Sequence, residues 1–374
     1  MVDLIKKHWK TILVFGIELI LIAIFITQIQ NLITPVSAYG DIWIEATSTA
    51  QWSTRSNHTL VDFNNKIWVI GGPAVERDVW YSTNGVSWTQ ATDTAQWTAR
   101  IQHTSVSFNN KIWVIGGWDS TYNNKNDVWY STNGVSWIQA TDTAQWSGRS
   151  DHTSVVFDNK IWVIGGWDGS GNCNGSGNSY CRDVWYSNNG ISWTQATNTA
   201  QWIARVYHTS VVFDNKIWVI GGNASGSYKN DVWYSTNGIS WIQATDTAQW
   251  SAREDHTSVV FDNKIWVIGG VQEASPYYTN DVWYSTNGVS WTQATPAAQW
   301  SARYEHTSVT YDNKIWVIGG ENAGGKKNDV WYLGNPVLKE IEVSATVQAW
   351  LSFSVSPTTT PLSPDLVDTG GGLH

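Results

Sequence analysis

The sequence predicts an all-β fold: a six-bladed β-propeller with four-stranded antiparallel blades. Three observations carry this expectation. First, a stretch typified by residues 250–291, WSAREDHTSVVFDNKIWVIGGVQEASPYYTNDVWYSTNGVSW, occurs six times at offsets of 45 to 56 residues, a period characteristic of arrays and propellers. Second, the spacing inside each copy is fixed. From His to the second glycine is 14 residues in every copy, from His58 and Gly72 to His306 and Gly320, and from Asp to the next His is 25 residues in all five cases. Third, each copy holds four short segments of β-branched and aromatic residues and no helical one, which on a ring makes four strands per blade.

At the N-terminus, Lys6, Lys7 and Lys10 precede an apolar run over residues 11–26, and Val36-Ser37-Ala38 supplies a small-x-small site. A basic region, an apolar region and such a site make an export segment over residues 1–38. It is either cleaved after Ala38 or kept as a membrane anchor with the lysines inside. The run falls short of the about 20 residues of a membrane span. Glu18 in its middle would cost roughly 3 kcal/mol at the bilayer centre. In both cases the segment enters the membrane at least during export, and the repeats end up outside the cytoplasm.

Residues 39–47 belong to the ring. The sixth copy stops at Asp329-Val-Trp-Tyr-Leu333 with no SWTQAT segment behind it, whereas WIEATSTAQW at 43–52 matches WTQATDTAQW at 88–97. The N-terminal strand is therefore expected to complete the last blade, pairing an edge that would otherwise be exposed. This bounds the propeller domain at residues 39–334.

Within a copy, HTSVVF and KIWVIGG are joined by Asp-Asn or Asn-Asn, and NDVWYS and SWTQAT by Asn-Gly. Both turns suit tight hairpins that need positive φ. Only the segment between Gly-Gly and Asp changes length, holding 5, 9, 16, 8, 10 and 8 residues in successive copies. Four apolar residues, then Gly-Gly and spaced aromatics, resemble the kelch repeat over about 43–333. The turn STNGVSW at 82–88 also looks like the Asp-box of sialidases, one residue short and with Asn84 in place of Asp; it is read as hairpin chemistry. Residues 335–374 differ in character: KEIEVSATVQAWLSFSV alternates like strands and a Pro/Thr/Ser-rich connector follows. They read as a linker and the start of a second, truncated β domain.

The chain has 374 residues, of which 14% are charged, and a net charge of −9. No basic face stands out, which argues against nucleic acid as a partner. Cys173 and Cys181 bracket a Gly/Ser/Asn-rich loop with no CxxC spacing; outside the cytoplasm they are expected to form a disulfide. The six His residues, each three after an Arg, occur in every blade regardless of the variable loops. They are expected to serve the blades by hydrogen bonding to inter-blade backbone. No metal and no cofactor are expected.

The kelch resemblance brings enzymes into view. Kelch-fold oxidases hold copper through Tyr and His and carry a Cys–Tyr crosslink; here both cysteines share one loop and no His is unique to one blade. Sialidases use a special trio of arginines, and the arginines here are equivalent. Sugar-acid mutarotases would need a unique acid/base carboxylate near the channel, for which Glu254 or Glu305 are candidates. No phosphate loop, Ser-His-Asp arrangement or metal-spaced motif is evident, so catalysis rests on fold analogy alone.

Variation inside the chain points elsewhere. The loop before the first strand and the loop after the second share one face. That face carries the free loops and the variable pairs after each Arg: Ser56-Asn57, Ile101-Gln102, Ser150-Asp151, Val206-Tyr207, Glu254-Asp255 and Tyr304-Glu305. The opposite face carries near-identical FDNK and STNG turns. A diversified face on a uniform scaffold, rich in rim aromatics, suits glycan or protein contact. The expected protein is an exported or cell-surface, monomeric binding module, with a secreted carbohydrate-active enzyme as the alternative. The expected ligand contacts are Trp118, Asp119, Trp167, Asp168, Tyr207, Glu254, Tyr278, Tyr304 and Glu305.

Overall fold

The structure is a computed structural model that describes residues 42–72, 76–173 and 179–334. The expected export segment and the expected second domain lie outside the described residues. Among the described residues no helix is long and apolar enough to cross a membrane.

Each blade is built of four antiparallel strands. In blade 3 these are Thr153–Phe157, Lys160–Trp167, Tyr180–Ser187 and Thr194–Thr197, paired in that order. The Asn and Asp turn residues reach φ near 50° where the first hairpin reverses, as at Asp158 and Asn159. The Asn-Gly hairpin is tied by its own side chains: the Asn189 Oδ1 accepts from the backbone N–H groups of Ile191 and Ser192 at 2.9 and 3.0 Å. Blades 4 and 5 are joined into one nine-stranded sheet by Arg253–Glu254, which pairs with Lys229 on one side and Val271 and Gln272 on the other.

The ring closes as expected. Ile42–Thr47 pairs with Val330–Gly334, making blade 6 from the two ends of the propeller. Trp43 reproduces the role of the leading Trp in the other blades. Its backbone N–H donates to Gln299 Oε1 at 2.8 Å and its ring meets Trp300 edge-on at 5.9 Å, as Trp88 does with Gln51 and Trp52. The innermost strands pack side by side around the axis, with Thr307–Tyr311 against Thr59–Asp62.

The core lies between blades. Val61, Trp68 and Ile70 of blade 1 pack on Ile112 and Val114 of blade 2. The same arrangement recurs around the ring to the junction of blades 6 and 1, where Trp316 and Ile318 meet Ile67 and Val69. The hairpin glycine is part of this packing: a Cβ at Gly134 would sit 2.0 Å from the Trp68 ring of the preceding blade. Asn-Gly is thus required for the close approach as well as for its φ of 72°.

Each blade is also pinned by a buried Arg. Arg149 is fully buried, donates to the Gly165 carbonyl at 3.0 Å, and makes two parallel bonds to Asp183 at 2.7 and 2.9 Å. The Asp183 carboxylate also accepts from the Trp185 indole. Equivalent networks join Arg55 to Asp78, Arg100 to Asp127, Arg205 to Asp231, Arg253 to Asp281 and Arg303 to Asp329. Bidentate pairing satisfies both charges where water is excluded. The repeated Arg and Asp therefore hold the glycine turn against the third strand.

Candidate functional site at the channel mouth

The six His residues stitch neighbouring blades together. His103 Nε2 lies 3.2 Å from Thr59 Oγ1 of the preceding blade, and the pattern runs round the ring to His58 with Thr307 at 2.8 Å. The threonine hydroxyl of the preceding blade is thus one partner, and the backbone of that same blade, at Ile70 for His103, also acts on the imidazole, as the sequence suggested. Burial and the adjacent Arg lower every one of these imidazoles; His103, His208 and His306 come down to about 3. They stay neutral across the physiological range. Among the described residues, the group of His, Cys, Asp and Glu ligand atoms close enough to hold a metal is Asp168, Cys173 and Cys181. Those two cysteines are bonded to each other in a disulfide.

Beside each His, the chain enters the innermost strand through one residue in the left-handed region. These residues are Asn57, Gln102, Asp151, Tyr207, Asp255 and Glu305, with φ between 51° and 56°. That conformation costs an L-residue roughly 1–2 kcal/mol, less for Asn and Asp, and it recurs here six times in one ring. Its effect is to turn the six side chains onto the axis, where they line a pocket of about 200 Å³ above the His belt. Beneath it the channel wall is a collar of threonines and serines from the innermost strands. Backbone bonds from Asn57 to Glu305, Asp151 to Gln102 and Asp255 to Tyr207 link the six residues in three neighbouring pairs.

The ring is acidic. Asp151, Asp255 and Glu305 come from blades 3, 5 and 6, and no Lys or Arg lines the pocket among the described residues. Burial, together with the facing Glu305 and Glu254, raises Asp151 to about 7 and Asp255 well above the usual carboxylate range. Burial raises Glu305 too, against hydrogen bonds from Ser56 and Asn57. The Asp151 charge and burial push the Tyr207 phenol upward, so it remains protonated.

The residue before four of these pairs through its backbone with the variable loop. Ile101 pairs with Trp118, Ser150 with Trp167, Val206 with Asn223 and Tyr304 with Glu321. Two hollows result. One, of about 300 Å³, spans blades 2, 3 and 4 and is walled by Trp118, Trp167, Tyr180 and Tyr207, with Asp151 and Gln102 at its channel side. The other, of about 730 Å³, lies over blades 4 and 5 and is lined by Tyr228, Tyr277 and Tyr278.

The expected contacts thus fall into groups. Tyr207 and Glu305 belong to the axial ring. Trp118 and Trp167 wall the first hollow together with Tyr207. Tyr278 lines the second hollow and stacks on Tyr304 with ring centroids 4.9 Å apart. Glu254 accepts from Asn223 Nδ2 at 2.9 Å on the rim. Asp119 and Asp168 are drawn into their own loops. Asp119 pairs with Lys125 at 2.6 Å and accepts from Thr121 and Asn123, and its pKa falls to about 2. Asp168 accepts from the backbone of Ser170, Gly171, Asn172 and Cys173. Both shape the loops that carry Trp118 and Trp167. The expected contacts omit Asn57, Gln102, Asp151 and Asp255, which complete the ring; the signal for them is that the position before each His takes five residue types in six copies.

The sequence matches the family model described as the KLHDC2/KLHL20/DRC7 Kelch-repeats domain, over residues 57–234 and 208–349. No curated protein matches the chain in sequence. Among solved structures, that of YjhT is similar, with a TM-score of 0.61 at 16% identity, over 76% of this chain and 96% of that one. At that identity the likeness shows the fold alone.

Proposed function

We propose that this chain, which belongs to the kelch-repeat family of β-propellers, is an extracytoplasmic binding module that recognises a glycan or protein through its variable-loop face. Kelch propellers are typically protein-binding modules. One observation carries the reading: the six variable residues before the His belt converge on one channel mouth, while the opposite turns repeat almost unchanged. Trp118, Trp167, Tyr207, Tyr278 and Tyr304 offer aromatic faces around that mouth, and Glu254, Asp255 and Glu305 favour hydroxyl-rich or cationic ligands over acidic ones. The Cys173–Cys181 disulfide supports an oxidising, extracytoplasmic setting.

The test is a glycan array and a protein pull-down with the full chain, repeated with Tyr304→Ala and with the opposite-face variant Asn237→Ala. Loss with the first and retention with the second supports the reading; the reverse rejects it. One observation favours a second reading, a secreted carbohydrate-active enzyme: carboxyls raised toward neutrality at the mouth suit general-acid chemistry. That reading requires turnover of a sugar by the native chain and its loss in Asp151→Asn.

A further inference from the structure

We propose that the hollow between blades 2, 3 and 4 binds an alkylated ammonium group of the choline type, with Trp118, Trp167 and Tyr207 as its walls and Asp151 as its counter-charge. The inference rests on the reading of the variable face as a binding surface and names the ligand chemistry there.

The walls are preformed. Trp118 is held by backbone pairing with Ile101 and Asn124. Trp167 is held on both sides, by Ser150 through two backbone bonds of 2.8 and 3.0 Å and by Tyr180 in the register of blade 3. The Asn124 amide bonds the Trp167 carbonyl, fixing one loop against the next. Tyr207 is set by its left-handed backbone at φ 54°. Indole and phenol faces attract a cation through their ring quadrupoles, and sets of such faces recognise quaternary ammonium groups.

The charge balance agrees. No Lys or Arg lines the hollow among the described residues, and Asp151 accepts from the Ser150 hydroxyl at 2.9 Å without a cationic partner. A cation seated there would relieve the raised affinity of Asp151 for a proton. An alkylated ammonium is preferred to a primary one because the aromatic walls offer faces rather than acceptors. A primary ammonium has three N–H donors to satisfy, and losing their hydration against indole rings is costly. The volume of about 300 Å³ suits a small head group.

The probes are choline, ethanolamine and the uncharged carbon isostere of choline, 3,3-dimethylbutan-1-ol, each titrated into the full chain by calorimetry and tryptophan fluorescence. Choline is expected to bind saturably and about tenfold or more tighter than either comparator. Trp118→Leu and Trp167→Leu should each weaken choline about tenfold, and Asp151→Asn severalfold, with the opposite-face variant Asn237→Ala unchanged. Trp118→Phe keeps a smaller ring and should fall between Trp118→Leu and the native chain, which keeps the test open if a Leu variant fails to fold. Absence of saturable choline binding overturns the proposal. So does equal binding of the isostere, preference for ethanolamine, or a loss confined to Asn237→Ala. If choline fails while a captured partner still depends on Tyr304, this inference falls and the binding-face reading stands. If the partner ignores the rim altogether, that reading falls as well.

Discussion

The two faces of this ring are built from the same six repeats and have diverged to opposite extremes. On one face, hairpins such as Ser235-Thr-Asn-Gly238 recur nearly residue for residue, each glycine pressed against the Trp of the preceding blade. On the other, six left-handed residues of five types converge on the axis, and the loops beyond them range from 5 to 16 residues. The first face is constrained by packing, because a methyl group at Gly238 would lie 2.1 Å from the Trp162 ring. The second is free because its backbone is fixed from below. The Arg–Asp pairs and the His–Thr bonds secure the strand starts whatever side chain follows. A repeat scaffold can therefore vary one face without loosening the other.

That contrast predicts a ladder of effects. The largest follows removal of residues 42–47, which strips blade 6 of its outer strand and of the buried Trp43. Truncating a buried Trp alone costs about 3–5 kcal/mol, and the exposed edge adds to it. Thermal unfolding should shift down by many degrees, and an unchanged melt would contradict ring closure. Next, Arg149→Met leaves the buried Asp183 unpaired and should cost about 3–5 kcal/mol. Adding Asp183→Leu should recover much of the loss, because a charge stranded in the core is the main penalty. Chemical denaturation of the single and double variants measures both.

The pH dependence separates the scaffold from the mouth. The six imidazoles sit far below the 6.5 of the unfolded chain. Below pH 6.5 the unfolded state takes up protons that the folded state refuses, so their contribution to stability falls as pH falls. Each contributes about 1.4 kcal/mol per pH unit once the unfolded His is fully protonated. Asp151, Asp255 and Glu305 have the opposite sign, since their folded pKa values are raised. They are protonated more readily in the folded state, so their contribution is present at low pH and is lost as pH rises, through about 7 for Asp151. With six groups against three, stability should drop between pH 6.5 and 5. Asp151→Asn should steepen that drop and stabilise the protein above pH 7. A flat profile in both proteins would contradict the neutral His belt.

Much of this architecture was legible in the sequence. Constant spacing fixed the strands, and the match of 43–52 to 88–97 placed the closing strand, because packing repeats wherever the blade does. The site was legible only by face. Successive residues Tyr304 and Glu305 look alike as a variable pair, yet the left-handed turn at Glu305 sends one onto the rim and the other onto the axis. A backbone dihedral of this kind leaves no mark on residue type when Tyr, Gln and Glu occupy it as readily as Asn. Asp119 and Asp168 beside Trp118 and Trp167 likewise read as ligands, since nothing in the sequence reveals that their own loops consume the carboxylates.

Two smaller effects complete the ladder. Replacing both Cys173 and Cys181 by Ser opens a loop of eight-residue separation and should cost about 2–3 kcal/mol at most. It should be visible mainly as faster local hydrogen exchange in blade 3, and a global loss of structure would contradict a local tie. Asn237→Ala removes the acceptor for Ile239 and Ser240 and should cost about 1 kcal/mol of stability.

The central claim is that recognition belongs to the mouth and not to the turns. It is tested most directly by measuring the affinity of a captured ligand for Tyr207→Ala and Asn237→Ala at matched stability. Tyr207→Ala should weaken binding by about 1–3 kcal/mol while Asn237→Ala leaves it unchanged. Loss in Asn237→Ala with full affinity in Tyr207→Ala would place the ligand on the uniform face and contradict the account.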